Sequence, residues 1–98
     1  MSNNENFIII PKNILNNNQL KAGAKLLYGN IYSLCLKKGY CWANNEYFAK
    51  EHNISARAVQ NYIADLTKFG YISTKISGNK RYIELTQQQD NNDDDLPF

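Results

Sequence analysis

The chain has few of the residues on which metal sites, disulfide frameworks and most catalytic centres are built. Its 98 residues include two cysteines, Cys35 and Cys41, and one histidine, His52. These three soft ligands fall on a predicted helix, a short strand and a helix end, which does not make a tetrahedral metal set, so no metal is expected. In a reducing compartment the two cysteines are read as small buried side chains. Catalytic parts are equally scarce. There is no glycine-rich phosphate loop and no pair of carboxylates on ordered elements, and with His52 standing alone no serine or cysteine has a base to activate it. The chain is read as a non-enzyme with no cofactor and no small-molecule ligand. No apolar run approaches bilayer-spanning length, and the polar start Met1-Ser2-Asn3-Asn4-Glu5-Asn6 lacks the basic and apolar regions of a signal peptide. A cytoplasmic protein without membrane contact is expected.

Charge is present, and it is divided. The formal total is +2, but residues 1–86 hold all eleven Lys and Arg against Glu5, Glu46, Glu51, Asp65 and Glu84, a formal +6. Residues 87–98 hold Asp90, Asp93, Asp94 and Asp95 and no base, a formal −4. A basic body suits a polyanion, because lysine and arginine at phosphates displace condensed counterions. Residues 1–6 are expected to be disordered, residues 7–86 to form one small domain, and residues 87–98 to form a disordered acidic tail.

Within the domain, Phe7 to Ile10 read as a short apolar strand or anchor ended by Pro11. Asn13-Ile14-Leu15 is predicted to make one helical turn. Leu20, Ala24, Leu27, Ile31 and Leu34 repeat at four, three, four, three, which predicts an amphipathic helix from about residue 20 to Lys38, with Gly39 ending it. Lys37 and Lys38 suit its C-terminal dipole. Tyr40-Cys41-Trp42 is predicted to be a brief strand that adds to the wing as a third strand, with Trp42 read as a core aromatic in preference to a ligand-stacking one.

Residues 44–70 organise the rest. A helix capped by Asn44 or Asn45, with Tyr47, Phe48 and Ala49 turned inward, breaks at His52-Asn53. Ser55 caps a second helix in which Val59, Ile63 and Leu66 form a buried stripe beside Tyr62 and leave Arg57, Gln60, Asn61, Ala64 and Lys68 outward, and Gly70 ends it. That is a helix-turn-helix. Tyr71 to Ile76 then alternates at strand period, Ser77-Gly78-Asn79-Lys80 is turn chemistry, and Arg81 to Leu85 alternates again, predicting a hairpin wing. The fold class is α+β, mainly helical: a winged helix-turn-helix with a small antiparallel wing.

The run from Cys41-Trp42-Ala43-Asn44 through Ser55-Ala56-Arg57-Ala58-Val59-Gln60 to Leu66-Thr67-Lys68-Phe69-Gly70-Tyr71-Ile72 resembles the winged-helix domains of plasmid and phage replication initiators. Phe7-Ile8-Ile9-Ile10-Pro11 and Ala24-Lys25-Leu26-Leu27-Tyr28 resemble the opening of the same family, so the resemblance spans residues 7–85. The last residues, Asp93-Asp94-Asp95-Leu96-Pro97-Phe98, resemble the C-terminal tip of bacterial single-stranded DNA-binding proteins. In that family an acidic run followed by an aliphatic residue, Pro and Phe binds replication, recombination and repair proteins. The chemistry agrees: Phe98 suits an apolar pocket, its carboxylate a basic side chain, Pro97 limits the entropy lost on ordering, and the aspartates steer toward a basic rim.

Two forms of nucleic acid fit the domain. On a duplex, Arg57, Gln60 and Asn61 would read base edges with Lys68 beside them, while Lys75, Lys80 and Arg81 would hold phosphates. On a single strand, a basic surface would follow the backbone and tyrosines such as Tyr82 would stack on bases. The helix face carries one Arg and one Lys, which is thin for duplex readout, and the tip suits a protein already seated on exposed strands. Single-stranded DNA binding with recruitment of replication or repair proteins, in a bacterial mobile element, phage or plasmid, is therefore the expectation. A duplex-binding initiator or regulator and a protein-binding adaptor are the alternatives.

Overall fold

The computed structural model describes residues 8–86. The expectations for residues 1–6, for Phe7 and for the acidic tail and its tip from Gln87 onward lie outside the described residues. Four helices precede one hairpin: α1 (Lys12–Leu15), α2 (Ala22–Lys38), α3 (Asn45–His52), α4 (Ala56–Lys68), β1 (Ile72–Ser77) and β2 (Lys80–Leu85). No helix here is long and apolar enough to cross a membrane.

Pro11 has no amide to donate, but its carbonyl accepts from Ile14 and Leu15 and so starts α1. Residues 8–10 form no strand. They lie along α2 at Gly29, where an added Cβ would collide with the Ile8 side chain and come within 3.3 Å of the Ile9 carbonyl oxygen. The apolar segment is an anchor, and a glycine on α2 makes room for it.

The buried face of α2 is wider than the four-three repeat alone implies. Ala24, Leu27 and Ile31 are buried, Tyr28 and Cys35 join them, and Leu34 is only half-buried. Tyr28 lies 6.0 Å from Tyr32 and 6.2 Å from Tyr71 between ring centroids, so it fastens α2 to the segment leading into the hairpin. Gly39, at φ 87°, caps the helix in a left-handed conformation that a side chain would strain.

Both helices of the central pair start on the expected caps. Asn44 Oδ1 accepts the Tyr47 amide at 2.8 Å, and Ser55 Oγ accepts the Ala58 amide at 3.0 Å. Each cap satisfies an amide that the helix itself cannot, worth about 1 kcal/mol. Asn53, at φ 57°, makes the turn between them. On α4, Val59, Ile63 and Leu66 are buried as the spacing requires. On α3 only Phe48 is. Ala49 is half-buried and Tyr47 faces solvent, against the inward placement expected for it. Neighbours on a helix are turned by about 100°, and an eight-residue helix that points Phe48 into the core swings Tyr47 off it.

β1 and β2 pair antiparallel from Ile72 opposite Leu85 to Ser77 opposite Lys80, closing on Gly78-Asn79 with Gly78 at φ 64°. The strands start and stop within a residue of the predicted ones. The expected third strand shrinks to a single bridge on the far edge of β2: the Cys41 amide donates to Ile83 at 2.8 Å, and the Ile83 amide donates to Cys41 at 2.7 Å. Ile83, Cys41, Phe48, Leu66, Ile72, Tyr28 and Ile14 are fully or almost fully buried in one cluster. The architecture is the expected α+β one, mainly helical with a small antiparallel wing.

Candidate nucleic-acid interface

The outward side of α4 is a stripe of exposed, mainly polar side chains. Arg57, Gln60, Asn61, Ala64 and Lys68 are all exposed, and their spacing keeps them on one face over roughly 16 Å of axis at 1.5 Å per residue. Arg57, Gln60, Asn61 and Lys68 make no side-chain hydrogen bond or ion pair with other described residues.

The wing residues are placed differently. Lys75 forms an ion pair with Glu84 at 3.1 Å, exposed on both sides and so worth at most about 1 kcal/mol. Lys80, Arg81 and Tyr82 all address the segment that connects α2 to α3. The Lys80 ammonium lies 5.1 Å from the centroid of the Trp42 ring, and Tyr82 meets Tyr40 edge to face at 5.3 Å. Arg81 donates through Nη1 to Asn45 Oδ1 at 2.7 Å and through Nη2 to the Ala43 carbonyl at 2.9 Å. Its guanidinium is a tether between β2 and the start of α3.

That tethered segment carries the most unusual surface of the domain. Trp42, expected in the core, is 49% exposed. The cause is local: two backbone hydrogen bonds fix Cys41 with its side chain buried, and in extended chain the residues on either side then point the other way. Tyr40 and Trp42 are therefore both outward. Lys38, from the last turn of α2, lies 5.5 Å from the indole centroid, so two ammonium groups attend one ring. Such contacts at an exposed site are worth about 0.5–1 kcal/mol each. Trp42 forms one wall of a groove of about 410 Å³ that also takes in Leu34, Lys37, Lys38, Tyr40, Asn44 and Tyr47, two lysines and no carboxylate among them.

A family model described as a helix-turn-helix domain matches residues 18–72, more than half of the chain. The chain belongs to the helix-turn-helix domain family. No curated protein and no solved structure matches it. Helix-turn-helix domains bind DNA, with the second helix of the motif presented to it, and here that helix is α4. The match ends at Ile72, so the hairpin that makes this helix-turn-helix domain a winged one is seen in the structure alone.

Burial pushes the Cys35 thiol up to about 12, helped by Cys41 and Glu84 and opposed by a backbone hydrogen bond at Leu85. Burial also raises Cys41, opposed by a backbone hydrogen bond at Ala43 and by Arg81, so both buried thiols are held toward the protonated form. Partial burial, then Glu51 and Cys41, raises the Tyr47 phenol, which stays neutral and can stack without charge repulsion. Of the DNA-contact candidates named from sequence, Lys80 and Tyr82 border this region, while Arg57, Gln60, Asn61 and Lys68 form the separate α4 face. Trp42, Tyr40, Tyr47 and Lys38 are not among those candidates; for Tyr40 and Trp42 the signal of exposure was the alternation around Cys41.

Proposed function

We propose that this helix-turn-helix domain binds single-stranded DNA with weak sequence preference. We further propose that its tail, residues 93–98, recruits replication or repair proteins, in the replication of a bacterial mobile element, phage or plasmid. The observation that carries the DNA assignment is the exposed aromatic and lysine surface at the base of the wing: Trp42 beside Lys38 and Lys80, with Tyr40 and Tyr47 adjacent. A single strand is held by charge along its backbone and by rings that any base can stack on, and a surface of this kind supplies both. Enzymatic work on the strand, such as unwinding or polymerisation, belongs to the recruited partners.

One observation favours a duplex-binding initiator or regulator instead. The α4 stripe stands exposed and, among the described residues, unpaired, as a major-groove helix must. Its thin set of readers counts against strong base discrimination, because a single arginine supplies the only bidentate guanine contact available.

Binding of single-stranded and duplex oligonucleotides across a salt series separates these assignments. Single-stranded DNA should bind more tightly, with log affinity falling by about 0.7 per phosphate neutralised for each decade of salt. Clear preference for one duplex sequence would defeat the single-strand assignment, and absence of any salt-dependent DNA binding would point to a protein-binding adaptor. Removal of Phe98 should abolish association with proteins that bind the single-stranded DNA-binding protein tip, with DNA affinity equal or higher.

A further inference from the structure

Within the single-strand assignment, on which this inference rests, we infer that the groove walled by Trp42 is the base-binding subsite, where an unpaired nucleobase stacks on the indole. The recognition helix is not where the bases go. Three observations converge on the groove.

The first is that the indole is exposed by construction. Cys41 is locked to Ile83 by hydrogen bonds of 2.8 and 2.7 Å, so Trp42 cannot turn into the core without breaking the bridge that joins the segment to β2. Arg81 holds the next residues, through Ala43 and Asn45. The ring is thus presented at a fixed place before any ligand arrives, which limits the entropy lost on binding.

The second is charge. Lys38 and Lys80 lie 5.5 and 5.1 Å from the indole centroid, and among the described residues no carboxylate lines the groove. Neither lysine makes a salt bridge among the described residues. A base stacked on the ring replaces an exposed cation–π contact with a stronger stacking contact, and an ammonium it displaces can reach the incoming phosphate on its flexible four-carbon stem. An apolar peptide would gain less, since it brings no phosphate for these lysines to meet.

The third is shape. A groove of about 410 Å³ bounded by Leu34, Trp42 and Tyr47 has room for a flat ring, with Tyr40 supplying a second aromatic surface nearby. Two aromatic residues of the rim, Tyr40 and Trp42, are neighbours but one in an extended segment, a spacing that suits successive bases of one strand.

The chain has a single tryptophan, so indole emission excited beyond the tyrosine absorption band reports on this site alone. Titration of the full chain with oligo(dT) should quench the indole emission, and an abasic oligonucleotide with the same number of phosphates should leave it nearly unchanged. Trp42→Ala should weaken oligo(dT) binding, read by anisotropy of a labelled strand, roughly tenfold or more. Trp42→Phe should stay within about threefold of wild type, because the ring is kept. Leu36→Ala, at an exposed apolar position of α2 outside the groove, should bind as wild type. Circular dichroism checks that each variant keeps its helices, which the exposure of Trp42 favours. Tight oligo(dT) binding with no indole response and with Trp42→Ala unchanged would overturn the groove and leave the single-strand assignment standing. Failure of the wild type to bind oligo(dT) would overturn both. Quenching by an Asp-Asp-Leu-Pro-Phe peptide but not by oligo(dT) would overturn the inference in favour of a peptide occupant.

Discussion

The outward stripe of α4 and the groove at the base of the wing are both exposed and both basic, yet they are built in opposite ways. On α4 the helix is rigid but the side chains are not held: Arg57, Gln60, Asn61 and Lys68 have no partners among the described residues. Each would be ordered only on binding, at about 0.5–1.5 kcal/mol per long side chain. In the groove the backbone under Trp42 is pinned by Ile83, the ring is attended by Lys38 and Lys80, and the next residues are tethered by Arg81. A surface arranged in advance loses less on binding. The two faces thus carry similar side chains and differ in how each one is held.

The largest effect should come from the core that the two regions share. Leu66 is fully buried on the inner side of α4, and Leu66→Ala should lower the unfolding free energy by about 2–5 kcal/mol. In urea, Trp42 fluorescence follows the groove and far-ultraviolet circular dichroism follows mainly the helices. The two transitions should coincide in the wild type and the variant, as one small core predicts. An indole transition that came first would make the groove a separate unit and break the comparison.

A smaller, more local effect should follow Arg81→Ala, which removes two hydrogen bonds from a charged donor to Asn45 and Ala43. A stability loss of about 1.5–3 kcal/mol is expected from the strength of such bonds. Arg81→Lys should not restore it, since one ammonium does not reproduce the fork of a guanidinium. Oligo(dT) affinity should fall further for Arg81→Ala than for Arg57→Ala, although Arg57 is the more exposed. Were Arg57→Ala the more damaging, α4 and not the groove would be the principal contact.

The smallest effect concerns His52, at the end of α3. Its Nε2 lies 2.9 Å from Asn30 Oδ1, and burial holds the imidazole below its ordinary value of 6.5, with Glu51 opposing. The unfolded chain therefore binds this proton more readily than the folded one. The contribution to stability is complete above pH 6.5 and is lost as the pH falls through that value toward the lower folded pKa. Urea midpoints measured from pH 7 down to about 5.5 should decline, and His52→Gln should flatten the decline. An unchanged slope in the variant would assign it to other groups.

Much of the frame was legible because short-range rules decided it. The caps at Asn44 and Ser55, the turn at Asn53, the glycine stops at Gly39 and Gly70 and the buried stripe Val59, Ile63, Leu66 each follow from local chemistry, and all are found in place. The side chains of the wing were legible in type but not in address. Nothing in Lys80-Arg81-Tyr82 says that all three turn toward residues 40–45, because that depends on how β2 docks against the segment after α2. Trp42 shows the same limit from the other side. A lone tryptophan in a small domain is a reasonable core residue on size alone, yet a brief strand with Cys41 inward requires both of its neighbours outward.

By itself, the sequence determined the helices, their caps, the hairpin and the separation of a basic body from an acidic end, since hydrophobic period, turn residues and charge act over a few positions. Tertiary structure alone decided which rings remain exposed and which cations stay uncommitted. Those outcomes depend on the bridge between Cys41 and Ile83 and on the reach of Arg81, contacts between residues some forty positions apart that no local pattern encodes.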